Sequence, residues 1–221
     1  MPKILPLNEN ALLVDFGQVI SEELNDRVLS IARFFEEKSF SGIEEVCPAY
    51  SSVAIFYQPM KIRQNFPESK NAFEAVKSLV EQALSSENRQ KKHERLIQIP
   101  VSFDNAPDLE FVATWSNLSC EEVIEIFLSR IYRVYMLGFL PGFAYMGKVS
   151  GKIAAPRHKT PRKLVEKGSV AIAGRQTGIY PFNSPGGWQI IGKTEIEMFD
   201  PKNPENPTFL KPGDSVKFIR V

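Results

Sequence analysis

The sequence predicts an α+β chain of two domains: a small split β-α-β (ferredoxin-like) domain, then a domain of short strands closing into a barrel or sandwich. Three observations predict it. Strand-like runs and helical stripes alternate through the first 90 residues. A hydrophilic stretch, Ser85 to His93, then breaks the pattern. Beyond it, glycine- and proline-rich turns separate short β-like runs. The boundary is placed in the hydrophilic stretch, giving domains 1–90 and 91–221.

Ala11 to Phe16 is a short apolar run closed by Gly17, as a strand would be. Ser21 is placed to cap a helix, with Glu22 and Glu23 suiting its positive end. Leu24, Val28, Ile31 and Phe35 then form a helical stripe, and Gly42 is expected to end the element. Glu44 to Val46 and Ser52 to Tyr57 read as strands around the Pro48 turn, with Pro59 closing the second. A second helix is expected from near Pro67 to Ser69, placing Phe73, Val76, Val80 and Leu84 on one side. Arg95 to Val101 alternates into a strand.

The second domain begins with short helices over Asp108 to Thr114 and from Ser119 onward. Ser119 with Glu122 makes a capping box. Strands follow at Tyr132 to Leu137, Val170 to Ala173, Trp188 to Ile191, Glu195 to Phe199 and Ser215 to Val221.

Composition excludes several classes. The 221 residues are 43% hydrophobic with a net charge of +1, which excludes disorder. No run of about 18 apolar residues exists, so no membrane helix is expected. The amino terminus lacks the charged flank and apolar core of a secretory signal. Cys47 and Cys120 are read as reduced thiols, and the cytoplasm is the expected compartment. Two cysteines and two histidines at scattered positions give no metal-ligand spacing, so no metal is expected.

Charge is uneven. Between Gly138 and Lys193 nine basic residues face the single acid Glu166, and 10 of the 13 glycines fall there. Such a segment can offer cations and flexible backbone to an anion. No nucleic-acid fold pattern accompanies it, and its aromatics alternate as core residues would. Gly187 to Thr194 matches the phosphate-loop expression, but its middle and the residues after it both read as strand. Lys193 is therefore not expected to hold phosphate. Ser184 sits in a turn with no visible base, so a structural serine is the better reading.

A composite of motifs remains. It runs Gly138-Phe139-Leu140-Pro141-Gly142-Phe143-Ala144-Tyr145, Pro156-Arg157, Pro161-Arg162, Gly174-Arg175-Gln176-Thr177-Gly178-Ile179-Tyr180-Pro181 and Ser184-Pro185-Gly186-Gly187-Trp188. These strings, in this order, resemble the bacterial family of the 5-oxoprolinase B subunit, allophanate hydrolase subunit 1 and the Kip-type inhibitors of a sensor histidine kinase. The resemblance is full-length and most specific from Tyr132 onward. It implies a ferredoxin-like domain followed by a cyclophilin-like β-barrel. It also implies as partners the homologous C and the separate A subunits of a complex that cleaves 5-oxoproline to glutamate with ATP and magnesium. One departure is Phe127, where family members commonly carry a histidine.

Opening so stable a lactam needs activation, and phosphorylating the amide oxygen is the route that uses ATP. Such transfer depends on positioning and on cations facing the moving oxygens. Arg157, Arg162 and Arg175 suit that, because a guanidinium grips carboxylate or phosphate through two hydrogen bonds. Gly174, Gly178, Gly186 and Gly187 permit close backbone approach, and Gln176, Thr177 and Ser184 could orient the substrate. Phe139, Pro141, Gly142, Phe143, Tyr180, Pro185 and Trp188 complete the candidate binding set. The three arginines are expected around one positive concavity. No nucleophile–base pair is visible, so the chain is expected to be inactive alone. Two rivals remain: an inhibitor gripping a histidine kinase, and a component of a complex that hydrolyses allophanate or another amide.

Overall fold

In a computed structural model, which describes residues 2–86 and 95–221, the chain divides into units spanning 1–92 and 93–221. The boundary placed between 90 and 91 falls outside the described residues.

The first unit opens on a strand that the sequence does not announce, β1 (Lys3–Asn8), whose side chains other than Ile4 are largely exposed. With β2 (Ala11–Asp15) it forms an antiparallel hairpin. Helix α1 (Glu22–Lys38) carries its stripe inward, burying Val28, Ile31 and Phe35. Ser21 occupies its cap position without a side-chain hydrogen bond, and the helix stops at left-handed Ser39 (φ 44°), before Gly42. Strands β3 (Ile43–Pro48) and β4 (Ser52–Tyr57) follow. The sheet order is β1-β2-β4-β3, so α1 joins two strands that β4 separates.

Pro59 does not merely close β4. It is the first residue of α2 (Pro59–Asn65), where its missing N–H costs nothing. The second predicted helix starts later than expected, at α3 (Ala72–Ser86), because Asn71 accepts the Glu74 amide at 2.9 Å and caps it. Ala75, Val76, Leu79 and Val80 of α3 meet Val28, Ile31 and Phe35 in one core.

The second unit begins with β5 (Leu96–Val101), then α4 (Leu109–Ser116) and α5 (Cys120–Leu128). Ser119 and Glu122 form both bonds of the predicted capping box. The remaining strands are β6 (Ile131–Gly138), β7 (Leu140–Gly147), β8 (Arg162–Val165), β9 (Ser169–Ala173), β10 (Gln176–Ile179), β11 (Ser184–Gly186), β12 (Gln189–Lys193) and β13 (Ser215–Arg220). Seven make one sheet, ordered β12-β9-β10-β7-β6-β13-β5, while β8 and β11 pair separately. Only β13 and β5 run parallel among the pairings in this sheet.

The outer strands of that sheet meet. Ser102, just past β5, and Lys193, ending β12, exchange N–H···O bonds of 2.9 and 2.8 Å, so the sheet curls back on itself. Gly192 makes this approach possible. A Cβ there would lie 2.6 Å from Val101 Cγ1 and 2.9 Å from the Ser102 carbonyl. Gly192→Ala should cost about 1–3 kcal/mol by overpacking. Urea unfolding followed by tryptophan fluorescence reads this directly, since Trp115 and Trp188 both lie in the second unit. An unchanged midpoint would show that the seam relaxes freely.

Two strand expectations need correction or completion. Glu195 to Phe199 alternates exposed glutamates with half-buried Ile196 and buried Met198, yet forms no ladder; one isolated bridge, Phe199 to Thr208, is all it makes. Lys193 ends a strand and no helix follows it, and its ammonium bonds Glu166 at 2.8 Å. The phosphate-loop match is thus a strand end. Phe127, the departure from the family's histidine, is fully buried, stacks on Phe218 (4.9 Å) and packs tilted against Tyr132 (5.1 Å). It is a core residue.

Candidate functional site

One cleft in the second unit gathers the aromatics of the composite motif. It has a volume of 320 Å³ and is lined by Phe139, Phe143, Tyr145, Arg157, His158, Pro161, Tyr180, Pro185, Gly186, Gly187 and Trp188. Its walls are built by the hairpin of β6 and β7 and by the chain around β11.

Phe139 is the turn residue of that hairpin and takes a left-handed backbone (φ 67°), a conformation costly for a side chain with a Cβ. The turn leaves its ring 60% exposed at the rim, edge-on to Phe143 (5.5 Å) and Tyr180 (6.4 Å). Phe143 in turn meets Tyr145 (4.9 Å), Tyr180 (5.4 Å) and Trp188 (5.5 Å), each edge to face. Such mutual T-shaped packing fixes ring orientations and leaves a firm apolar wall. Tyr180 is buried, and burial pushes its hydroxyl pKa up, although the Trp188 amide donates to it and Arg157 lies near. The hydroxyl passes directly over Gly186.

Polar groups occupy one side. Exposed Arg157 places its guanidinium 5.5 Å from the Trp188 ring, a cation–π contact that leaves its donors to solvent. His158 is held from both ends: its amide donates to the Gly187 carbonyl at 2.7 Å, and its ring stacks on Phe111. Beneath it lies Asp108, buried at the start of α4. Arg162 donates to Asp108 from both ends of its fork, at 2.8 and 2.5 Å, and the Ile190 amide adds a third bond at 2.7 Å. Burial alone would raise the Asp108 pKa. The Arg162 and Ile190 hydrogen bonds outweigh it and hold the carboxyl below the usual range. Arg162 Nη1 also lies 2.6 Å from His158 Nε2. A guanidinium only donates, so Nε2 accepts and the ring proton sits on Nδ1.

The structure therefore divides the predicted set. Phe139, Phe143, Arg157, Tyr180, Pro185, Gly186, Gly187 and Trp188 line the cleft. Arg162 does not offer itself to a ligand there, because Asp108 occupies its fork. Arg175 is exposed in the turn between β9 and β10 and does not line the cleft. The three arginines do not converge. Several other candidates support the walls from behind. A Cβ on Gly178 would meet the Phe143 ring at 2.8 Å, and one on Gly142 (φ 83°) would meet the Met198 carbonyl at 2.7 Å. Thr177 is buried with its hydroxyl on the Ala171 carbonyl, and Ser184 is buried in β11. Gly174 turns the hairpin (φ 56°), half-buried Gln176 pairs in β10, and Pro141 is exposed in β7. Missing from the sequence-based set are His158, Tyr145 and Pro161 in the lining and Asp108 beneath it. His158 adjoins the Pro156-Arg157 motif, but its partner Asp108 stands 50 residues earlier, with no local spacing to signal it.

A magnesium nucleotide fits this lining poorly. The cleft holds no carboxylate, Arg157 is its one lining arginine, and among the described residues no group of three potential metal ligands exists. A triphosphate with its metal needs several cations and an acidic ligand.

Comparisons with known proteins agree with the motifs. A family model for the carboxyltransferase domain, subdomain C and D, matches residues 2–210. A protein of Bacillus subtilis (strain 168) named as the B subunit of 5-oxoprolinase is 43% identical over 99% of this chain and 92% of its own length. The crystal structure of TTHA0988 superposes with a TM-score of 0.82 at 34% identity, covering 96% of this chain; the chain spans only 40% of that protein's length. The Kluyveromyces lactis urea amidolyase shares the fold (TM-score 0.74, 21% identity) over all of this chain and 15% of its own.

Proposed function

Because the chain belongs to the family of the carboxyltransferase domain, subdomain C and D, we propose that it serves as the B subunit of an ATP-dependent 5-oxoprolinase complex. The single observation that carries this reading is the near full-length 43% identity to the B. subtilis protein. In this reading the chain presents a lactam to the machinery that activates it, with the homologous C and separate A subunits completing the reaction. ATP and magnesium belong to the assembled complex. The poor fit of the aromatic cleft to a magnesium nucleotide supports placing their ligands elsewhere. We also read the two units as ferredoxin-like and cyclophilin-like. The separation of β2 and β3 by β4, and the seam between Ser102 and Lys193, support that.

In this reading the described residues of the chain hold no complete catalytic set. His158 is its one described imidazole, and Asp108 is committed to Arg162. The purified chain should therefore show no 5-oxoproline-dependent ATP hydrolysis, whereas the complex reconstituted with the A and C subunits should. Coupled measurement of ADP and glutamate release checks both. Turnover by the chain alone would show that it carries the chemistry itself, and silence of the complex would remove the oxoprolinase reading.

A further inference from the structure

The geometry points to the aromatic cleft as the seat of a small flat ring bearing one carboxylate, with Arg157 holding the carboxylate and His158 donating to the ring's carbonyl. This rests on the oxoprolinase reading and deepens it: the lactam, not the nucleotide, occupies this cleft.

Three features support the assignment. The first is shape. Phe143 meets both Tyr180 and Trp188 edge to face, which gives a firm apolar wall suited to a compact planar ligand. At 320 Å³ the space readily accommodates a five-membered ring. The second is charge. Arg157 is the lining's single arginine, with no protein acceptor in its fork, and one guanidinium matches one carboxylate through two parallel bonds. Its cation–π contact with Trp188, 5.5 Å from the ring, limits the freedom lost on binding. The third is the proton of His158. Nε2 is engaged by Arg162, so the Nδ1 proton is the one the ring can give. A lactam has one strong acceptor, its carbonyl oxygen, and a neutral imidazole N–H can bond it. Asp108 and Arg162 thus act as positioning residues: they fix the tautomer and hold the ring against Phe111.

The test uses the assembled complex and two Michaelis constants, one for 5-oxoproline and one for ATP. Arg157 is exposed on a loop, so Arg157→Ala removes no buried partner and should leave assembly and melting unchanged. It should raise the KM for 5-oxoproline about ten- to a hundredfold, the loss expected for a charge-assisted bond, with the KM for ATP nearly unmoved. Arg157→Lys should recover part of the loss. His158→Ala should raise the same constant, and His158→Asn, which keeps an N–H donor, should restore some of it. Lys152→Ala removes a charge from the same basic segment outside the cleft and should change neither constant. A rise in the KM for ATP alone would make this the nucleotide site and overturn the assignment. Unchanged constants in the Arg157 and His158 variants of an active complex would also overturn it, while leaving the oxoprolinase reading intact. A parent complex that ignores 5-oxoproline would remove that reading and this inference together.

Discussion

Replacing Asp108 with alanine should destabilise the second unit by about 3 kcal/mol, the largest loss expected from any single change near the cleft. Three bonds end on its carboxylate, from both arms of Arg162 and from the Ile190 amide. Removing it leaves a guanidinium facing a buried pocket and strands an amide of β12. The lower end of the usual range applies because the Arg162 side chain is 32% exposed and recovers some hydration. The same contact sets a pH dependence. The folded Asp108 pKa lies below its unfolded value, so its stabilisation is complete above the unfolded carboxyl value of about 4 and disappears as pH falls through the folded one. Urea unfolding of the parent and Asp108→Asn, followed by tryptophan fluorescence from pH 7 downward, should show a gap that narrows with acid. A gap independent of pH would mean that the charge of Asp108 contributes nothing.

Gly186→Ala should be the second large effect, and it should strike stability and binding together. A Cβ at this position would lie 2.3 Å from the Tyr180 hydroxyl and 2.8 Å from its ring carbons. Tyr180 has nowhere to retreat, since its ring is buried against Phe143. Overpacking of this kind costs about 1–3 kcal/mol. Any accommodation must also tilt Tyr180 or Trp188, so the cleft loses its wall. Adding Tyr180→Phe, which removes the nearest atom but keeps the ring, should recover part of the stability. The two changes should therefore be non-additive in a double-mutant cycle. Strict additivity, or a Gly186→Ala protein as stable as the parent, would show that the hydroxyl does not press on this glycine.

How much is legible in the sequence depends on how local each cause is. The α1 stripe and the Ser119 capping box are written within one or two helical turns, and both form as read. Strand β1 escapes notice because its exposed Leu5 and Leu7 give no one-sided pattern; its place comes from pairing with β2. Glu195 to Phe199 shows the reverse failure, an alternation that buries Met198 but finds only one isolated bridge instead of a ladder. In the cleft, the aromatic motif is visible because its residues cluster in the chain. The fate of the arginines is not. Arg162 looks as available as Arg157 until Asp108, 54 residues upstream, is found in its fork. Charge counting along a segment cannot separate a cation already paired across the fold from one left for a ligand.

The parallel pairing of β5 with β13 has a consequence for the life of the molecule before it is finished. Leu96 lies beside Ser215 and Val101 beside Arg220, so the first strand of this sheet waits for the last. While a ribosome is still making the intervening chain, Ile99 and Val101 have no β13 to cover them and β5 offers an open edge. The first unit, by contrast, has its whole sheet once Tyr57 has emerged. A nascent chain stalled before Ser215 would thus carry a folded head and a tail whose first strand is unpaired, sticky and open to proteases.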